Sequence, residues 1–452
     1  MRPALPPSGL AVRSLYGQRR PAKQGRAAPA QEKPLLPAFG ETEARAAVEY
    51  EPRPVKDLLI EMKDIAELIV DLAYSALIFD SEEIAEEVHR LEARMYRLRY
   101  LLRLQVMLST RTLADAQMML GILQVAGAGG AIANAAGDIA KVLSSELEYR
   151  PLAPFILKGS GERIRLVSVA EASPLTGNTL AELKLGTRLG TRVIAVRRGK
   201  RWSYDVHEDV VFKDGDQAIV TGTEEGIEQL RAIASGKQSF DEAARAQPSA
   251  APLPQPPAQP GTKSETEAWF IEIKDTSDLM VDLAYSAILY NSREIAEEVE
   301  TLEEEVDELV VKLQRRVLEE AIESKNVDKA LILFHLSAAM EQIADAAREI
   351  ADAALRDIQV HPVLVESVRE SDVTVARAQV SEASTLGGKT LRQLQMATKT
   401  GMRVIAIRRG KKWIVGPGPE DRLEAADVLF MRGPPAAEER LRDLCSGKRK
   451  RL

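Results

Sequence analysis

Apolar residues recur at helical spacing over two long stretches of the chain, residues 50–150 and 264–361. In the first stretch they follow steps of three and four, at Ile65, Leu68, Ile69, Leu72, Ala76 and Phe79. This spacing predicts a helix with one buried face. Ser81 and Ser292 are each followed by acidic residues and are predicted helix N-caps. Further breaks near residues 109–110 and 324–326 predict a third helix, so each stretch is expected to form an antiparallel three-helix bundle.

After Pro151 and Pro362 the pattern becomes strand-like. Ile164 and Leu166 alternate with arginines, and Val373 and Val375 alternate with polar residues. A short helix, two strands joined by a Gly-containing turn, a further strand and a final helix follow in both places. The prediction is a small β-α-β-β-β-α domain over 151–237 and again over 362–447. The fold class is therefore α+β multidomain, with two helical bundles alternating with two small domains.

The second half of the chain repeats the first at a constant offset of 211 residues. Residues 60–92 and 271–303 are closely similar, and Trp202 corresponds to Trp413. Self-similarity at a fixed offset predicts that both halves have the same fold.

One stretch imitates a membrane span, because residues 116–137 carry no charge and about 20 such residues can cross a bilayer. Its counterpart in the repeat carries Asp328, Lys329, Glu341, Asp345 and Arg348. A segment whose duplicate is amphipathic is more simply a buried helix, so the transmembrane interpretation is rejected.

The segments outside the repeat are rich in Pro, Ala and basic residues. Residues 1–49 are predicted to be disordered, either as a dispensable extension or as a basic arm that contacts anionic lipid or nucleic acid. Residues 238–263 form a Pro/Ala-rich linker, and residues 448–452 form a basic tail.

Composition narrows the function. The net charge of −7 argues against a nucleic-acid binder as a whole, and the lone Cys445 fits a reducing cytoplasm. The sequence contains neither a G-x-G-x-x-G motif after a strand nor a recognisable nucleophile–base set. The chain is therefore expected not to be an enzyme and not to bind NAD.

The runs VIAVRRG (193–199) and VIAIRRG (404–410), each followed by Trp and preceded by an EAS motif, resemble the C-terminal ligand-binding domain of the TrkA and RCK family. The helical segments IANAAGDIA and IADAAREIA resemble PhoU-type bundles. The combination is similar to archaeal proteins that join a PhoU-like bundle to a TrkA C-terminal domain. The resemblance implies a cytosolic, ligand-sensing regulatory subunit of a cation channel or transporter. The transported ion would be potassium, the partner a separate membrane protein, and the location the inner membrane face when bound to that partner.

The resemblance also implies a ligand site. In some relatives the basic turn and its preceding strand help to bind cyclic di-AMP between two such domains. Carried over, the residues on the two sides would be Val193, Ile194, Arg197 and Arg198, and Val404, Ile405, Arg408 and Arg409. The alternative is that these turns are solvated and paired with acidic helices.

A divalent metal site is the second site hypothesis, because PhoU-like bundles can hold metal through carboxylates one helical turn apart. Glu341, Asp345 and Glu349 have that spacing in the second half only. Asp71 and Asp282 lie within apolar helix sequence, where a carboxylate is costly unless it is paired, metal-bound or exposed.

Two other functions stay open from the sequence: a PhoU-like metal-binding adaptor in phosphate or ion signalling, and a nucleic-acid regulator acting through the basic tails. The duplication itself makes a prediction. Relatives with one small domain commonly pair them about a two-fold axis. We therefore expect the two small domains to pair within the chain, and residues 264–452 alone to form dimers; the full chain could in addition form a homo-oligomer.

Overall fold

The computed structural model describes residues 52–143, 163–240, 265–355 and 360–449, apart from the single positions 172, 200, 205, 372 and 411. The predictions for residues 1–49, for most of the linker and for the end of the basic tail lie outside the described residues. Within the described ranges, helical regions and two small four-stranded sheets are present as predicted.

Each half begins with three long helices. In the first half these are α1 (Val55–Phe79), α2 (Glu82–Ser109) and α3 (Leu113–Lys141). The predicted N-cap Ser81 accepts a hydrogen bond from the backbone N–H of Ile84 at 3.4 Å. Thr112 and Asp115 form a reciprocal capping box at the start of α3. The three helices pack against one another and form bundle 1.

Bundle 2 repeats this arrangement with α7 (Glu265–Tyr290), α8 (Arg293–Ser324) and α9 (Val327–Leu355). Ser292 caps α8 through the N–H of Ile295, which confirms the second predicted N-cap.

The small domains have the same element order in both halves. The first contains β1 (Arg163–Ser168), α4 (Leu180–Leu183), α5 (Leu185–Leu189), β2 (Thr191–Arg198), β3 (Arg201–Ser203), β4 (Gln217–Gly222) and α6 (Glu224–Ala234). The second contains β5 (Thr374–Gln379), α11 (Leu391–Leu394), α12 (Met396–Thr400), β6 (Arg403–Arg409), β7 (Lys412–Val415), β8 (Val428–Gly433) and α13 (Glu438–Ser446). The strand orders are β1-β4-β2-β3 and β5-β8-β6-β7, and all neighbours are antiparallel.

The helix α10 (Pro362–Glu370) was not predicted from the sequence. The strand expected around Val373 and Val375 is β5, and α10 precedes it. Pro is favoured in the first turn of a helix because it has no N–H to leave unpaired. His361 caps this helix, and its buried residues Leu364 and Val368 join the bundle core. The helix packs against both α1 and α7, so it contacts both bundles.

The two bundles pack side by side through their third helices, α3 and α9. Gln124 donates to the carbonyl oxygen of Glu349 at 2.8 Å, and the His335 ring nitrogen lies 3.0 Å from the carbonyl oxygen of Asp138. Residues 335 and 349 are the 211-residue counterparts of 124 and 138. The first position of each half therefore contacts the second position of the other half, and the two contacts are equivalent. The halves are thus related by a pseudo-two-fold axis.

The small domains contact each other through α5 and α12. A Cβ placed on Gly190 would lie 2.2 Å from the carbonyl oxygen of Ala397, and a Cβ on Gly401 would lie 2.0 Å from that of Gly186. Both glycines have positive φ, +64° and +77°, and each ends a short helix. The close approach is again reciprocal, so the pseudo-two-fold relation extends to the small domains.

Within the described ranges, one helix, α3, is long and apolar enough to cross a membrane by length and composition alone. In the structure α3 packs against α1, α2 and α9, and its buried residues from Ile122 onwards belong to the core shared by both bundles.

Candidate functional site

A cavity of about 80 Å³ lies at the centre of the molecule, bounded by α1, α7 and both sheets. Its acidic side chains all come from the two helices: Glu67, Asp71, Asp275, Asp278 and Asp282. Its arginines all come from the sheets: Arg165, Arg403 and Arg432. We call this the central cavity. Its charges hold the sheets to the helices and leave room for a small solute or several waters.

Glu67 is the most buried carboxylate of this network. Its side chain is 6% exposed, and it pairs with Lys63 at 2.6 Å and with Arg432 at 3.7 Å. Burial alone would raise the pKa of Glu67, but Lys63 and Arg432 together hold that pKa below its ordinary value. Lys63 also donates to the carbonyl oxygen of Val373 at 3.0 Å, which ties bundle 1 to the second small domain.

The structure explains the two carboxylates in apolar helix sequence. Asp71 accepts a hydrogen bond from Arg192 at 2.6 Å, and Asp282 lies 3.2 Å from the Nε of Arg432. Each is paired with a basic residue, which was one of the alternatives that the sequence left open. The partners come from the sheets and not from a neighbouring helix.

Two lysine–tyrosine contacts cross the pseudo-two-fold axis. Lys63 lies 5.2 Å from the ring centre of Tyr285, and Lys274 lies 4.7 Å from that of Tyr74. Burial raises the pKa of both tyrosine hydroxyls. Burial alone would lower the pKa of Lys274, but Asp278 and Asp275 outweigh it and raise the pKa. Near pH 7 both tyrosines are therefore neutral and Lys274 is protonated.

Two buried hydroxyls that line the central cavity have no hydrogen-bond partner among the described residues. They belong to Tyr74 on α1 and Thr221 on β4, and both residues are 2% exposed. Buried hydroxyls are normally satisfied by protein, water or ligand. The cavity can therefore accept a polar solute that supplies hydrogen bonds at these two points.

The predicted ligand-lining strand residues are part of the folded core. A bulge between Val193 and Ala195 and another between Val404 and Ala406 interrupt the sheet registers. They place Ile194 and Ile405, 2% and 1% exposed, against the helical bundles. Val193 and Val404 instead pack within their own small domains. The structure keeps the two sets in separate sheets, since the two small domains meet mainly through α5 and α12.

The second arginine of each basic turn is bound within its own domain. Arg198 makes a two-pronged ion pair with Asp216 at 2.7 and 2.9 Å, and Arg409 does the same with Asp427 at 2.8 and 2.9 Å. Both aspartates are fully buried. Hydrogen bonding to these carboxylates raises the pKa of both guanidinium groups. These arginines stabilise the fold in both copies.

The first arginine differs between the copies. Arg197 donates to Gln217 and lies 5.3 Å from the ring centre of Trp202, whereas Arg408 pairs with Glu294 at the start of α8. Pairing with an acidic helix is the alternative that the sequence left open, and it holds for Arg408.

The three carboxylates predicted to bind metal do not form one group. Glu341 and Asp345 lie near Glu303 and Asp307 of α8, and burial followed by repulsion from Asp307 raises the pKa of Glu341. Glu349 takes no part in this cluster of electrostatic contacts. In the part of the chain that the structure describes, no group of three or more His, Cys, Asp or Glu residues is arranged to hold a metal ion. The metal hypothesis thus has no geometric support.

Comparison with known families matches the TrkA-C domain to residues 164–235 and 375–446, and the PhoU domain to residues 270–354. The chain joins two TrkA-C domains to a PhoU domain. The TrkA-C matches coincide with the two four-stranded sheets and their helices, and the PhoU match lies within bundle 2.

Among curated proteins, a probable potassium channel protein 2 of Methanocaldococcus jannaschii is 30% identical over 83 residues. The match covers 18% of this chain and 24% of that protein, so the chain spans about a quarter of the relative's length.

Among solved structures, PhoU from Pseudomonas aeruginosa matches with a TM-score of 0.35 and 13% identity, covering 67% of this chain and 93% of that one. The RCK domain of GsuK matches with a TM-score of 0.15 and 14% identity, covering 64% of each chain. Scores this low carry no argument about function.

The charged residues of the central cavity, apart from Asp71 and Asp282, were missed from the sequence. A signal was present: Lys63, Glu67 and Asp71 recur at four-residue spacing in the apolar helix that precedes the first TrkA-C domain, and Lys274, Asp278 and Asp282 repeat them. Charges kept at three equivalent positions of an otherwise buried helix face indicate a paired network. Their arginine partners on the TrkA-C domains are distant in sequence and required the fold.

Proposed function

We propose that this protein is a non-catalytic, cytosolic regulatory subunit of a membrane cation channel or transporter, with potassium as the transported ion. The observation that carries the proposal is the pair of TrkA-C domains joined through α5 and α12 within one chain. The similarity to part of a probable potassium channel protein supports the same class of partner.

The geometry supports a mechanism of regulation through the central cavity. Both TrkA-C domains contact bundle helices there through charged side chains, including the Arg192–Asp71 and Arg432–Asp282 pairs. A change in these pairs alters the position of a sheet relative to its bundle, and interfaces of this kind commonly switch between discrete arrangements.

We also propose that the first helical region is a second PhoU-like bundle and that both small domains share the β-α-β-β-β-α topology of TrkA-C. The three helices of the first helical region follow the same order as those of bundle 2, and Ser81 caps α2 as Ser292 caps α8. The reciprocal contacts between α3 and α9 support the same origin for the two bundles.

Cyclic di-AMP remains a proposed ligand at Val193, Ile194, Arg197 and Arg198 and at the equivalent second set. Binding there would have to compete with the present partners of the arginines, above all the buried Asp216. Titration calorimetry of the full chain with cyclic di-AMP tests this; no heat at high micromolar ligand removes the hypothesis. A divalent metal at Glu341, Asp345 and Glu349 is a proposal from the sequence alone, which the geometry of the described residues does not favour; metal analysis of the purified protein tests it.

A second candidate function is a PhoU-like adaptor in phosphate signalling, which the PhoU match to residues 270–354 favours. Deletion of the gene in its native host separates the two functions. We expect altered uptake of rubidium, used as a potassium tracer, with phosphate uptake unchanged, and restoration by the wild-type gene. Altered phosphate uptake with normal rubidium uptake would instead support the adaptor.

A further inference from the structure

The hairpin where α2 ends and α3 begins exposes large apolar side chains. Met107 is 71% exposed, Leu108 68% and Leu113 76%, and all three lie within seven residues of one another. We call residues 96–120 the first tip. The apolar run that imitated a membrane span begins here, and its exposed residues Met118 and Leu120 belong to this tip. Contiguous exposed apolar residues of this kind usually mark a contact surface.

The same tip is strongly basic although the whole protein is acidic. It contains four arginines and one aspartate, whereas the chain has a net charge of −7. Arg97, Arg103 and Arg111 are exposed, and none of them forms an ion pair with a described residue. Burial, together with repulsion from Arg103, lowers the pKa of Arg99. Asp115, which interacts with Arg111, offsets one of the four positive charges, so the first tip has a net charge of +3.

The second tip, residues 307–331, is the equivalent hairpin of bundle 2 and differs chiefly in charge. It also exposes apolar side chains, with Leu318 52% and Ile322 78% exposed. It carries five basic and six acidic residues, however, so acidic residues outnumber the cations. Three of the cations form ion pairs: Lys312 with Glu308 at 3.1 Å, Arg316 with Glu319 at 3.4 Å and Lys329 with Glu320 at 3.3 Å.

The 211-residue counterparts of Arg103 and Arg111 in the second tip are Gln314 and Ile322. Both tips thus expose apolar side chains, and of the two only the first combines them with an excess of basic over acidic residues.

We propose that the first tip inserts into the headgroup region of an anionic lipid bilayer. Met107, Leu108 and Leu113 enter the boundary of the acyl chains, and Arg103 and Arg111 bind lipid phosphates around them. Apolar and basic side chains together are the combination that holds a peripheral segment at a membrane surface. Tyr100 lies two helical turns before Met107, about 10 Å along the helix, where aromatic rings favour the interface. The proposal does not depend on the identity of any channel partner.

The test is co-flotation of the full chain with vesicles of phosphatidylcholine alone and of phosphatidylcholine mixed with phosphatidylglycerol. We expect binding to the mixed vesicles only, weakened by salt because exposed charges are screened. Arg103→Gln with Arg111→Gln should weaken partitioning by about 25-fold, at about fivefold for each arginine. Met107→Ser with Leu113→Ser should weaken it by about tenfold or more.

Matched controls come from the second tip: Lys312→Gln with Arg315→Gln, and Leu318→Ser with Ile322→Ser. These should leave vesicle binding within about twofold of the wild type, because the cations there are balanced by acidic neighbours. All of the substituted positions in both tips are exposed, so the variants should fold; circular dichroism checks this.

Four outcomes overturn the proposal. The first is that the wild type does not bind the mixed vesicles, and the second is that the second-tip variants lose as much binding as the first-tip variants. The third is that binding survives in the first-tip variants but disappears when residues 1–49 are removed. The fourth is that the first-tip variants change only self-association, measured by light scattering, or DNA binding, measured by gel shift. Selective loss of anionic-vesicle binding in the first-tip variants supports the proposal.

Discussion

The two halves of this chain share the ion pairs inside their small domains and differ where they meet at the centre of the molecule. Arg198–Asp216 in the first TrkA-C domain is repeated by Arg409–Asp427 in the second, with nearly the same distances. At the central cavity the copies diverge: Thr221 in the first sheet stands where Arg432 stands in the second. The shared ion pairs maintain the fold of each small domain. The diverged positions give the two halves different charges and hydrogen-bonding groups at the central cavity.

The inequality has a structural consequence at the pseudo-two-fold axis. Arg432 pairs with Glu67 and Asp282, so the second sheet binds charged groups of both bundles. Thr221 offers only a hydroxyl, which lines the central cavity without a described partner. At this pair of positions the second sheet therefore presents a paired cation and the first sheet a hydroxyl that can bind a polar solute, an asymmetry that a dimer of identical chains does not have.

The largest expected effect is on the contact that the two halves make reciprocally. Gly190→Ala places a Cβ 2.2 Å from the carbonyl oxygen of Ala397, closer than van der Waals contact allows, so the two TrkA-C domains must separate locally. We expect a loss of about 3 kcal/mol or more in unfolding free energy, and the same for Gly401→Ala.

The matched control for these two variants is Gly177→Ala. Gly177 has a similar φ of +79° but nothing within 4 Å of an added Cβ, so only the backbone cost of about 1 kcal/mol remains. Urea denaturation measures all three. Equal midpoints for Gly190→Ala and Gly177→Ala would show that the contact between the domains contributes nothing.

The next largest effect is the loss of unfolding free energy when the equivalent carboxylates Glu67 and Asp278 are replaced by amides. Glu67→Gln removes the charge that Lys63 and Arg432 share in a site 6% exposed, and should cost about 2–3 kcal/mol at pH 7. Its counterpart Asp278→Asn alters a pair with Lys274 in which the aspartate is 36% exposed, and should cost less than about 1 kcal/mol.

The effect of Glu67→Gln should depend on pH in a defined direction. The folded-state pKa of Glu67 is lowered below the unfolded value of 4.5, so its stabilisation is complete above that pH. It is lost as the pH falls below 4.5 through the folded-state pKa. Thermal unfolding of wild type and variant between about pH 7 and 3 should show the difference narrowing. A difference that grows in acid would contradict the assigned pairing.

The ion pair that both small domains share should contribute equally to the unfolding free energy in the two halves. Arg198→Ala and Arg409→Ala each leave a buried aspartate without its cation, at a cost of about 2 kcal/mol. Arg197→Ala should cost less than about 1 kcal/mol, because its partner Gln217 is neutral. A solvated turn, the alternative stated from the sequence, would instead give a small loss of unfolding free energy for all three variants, because exposed charges contribute little to stability. Urea denaturation of the three variants distinguishes the two expectations.

The smallest expected effect on stability concerns Glu341, which lies near other carboxylates in bundle 2. Burial and nearby carboxylates raise the pKa of Glu341, so the folded state binds its proton more tightly than the unfolded state. Glu341→Gln should therefore stabilise the protein by a few tenths of a kcal/mol at pH 7. The gain should shrink as the pH falls from 7 towards the unfolded value of 4.5, because the wild type is then protonated as well. A gain that is constant with pH would exclude burial and repulsion of the Glu341 charge as its cause.

Local patterns were enough to place the helices, the N-caps Ser81 and Ser292 and both small sheets, because spacing and capping are properties of neighbouring residues. The helix α10 was missed because its nine residues begin at a proline that also suits the end of a helical region. The roles of Arg198 and Arg409 were missed because their partners lie 18 residues away across a strand pair. The central cavity combines residues more than 100 positions apart, as in Arg192–Asp71, and only the fold brings them together.

Pairing of the two TrkA-C domains within one chain can be tested by a disulfide placed between them. The hydroxyl oxygens of Thr223 and Thr398 lie 3.3 Å apart across this contact. With the buried Cys445 replaced by Ser, the double variant Thr223→Cys, Thr398→Cys should oxidise to a crosslinked species of monomer mass at every protein concentration. Crosslinked dimers that form only between chains, with no crosslink inside the monomer, would contradict the internal pairing.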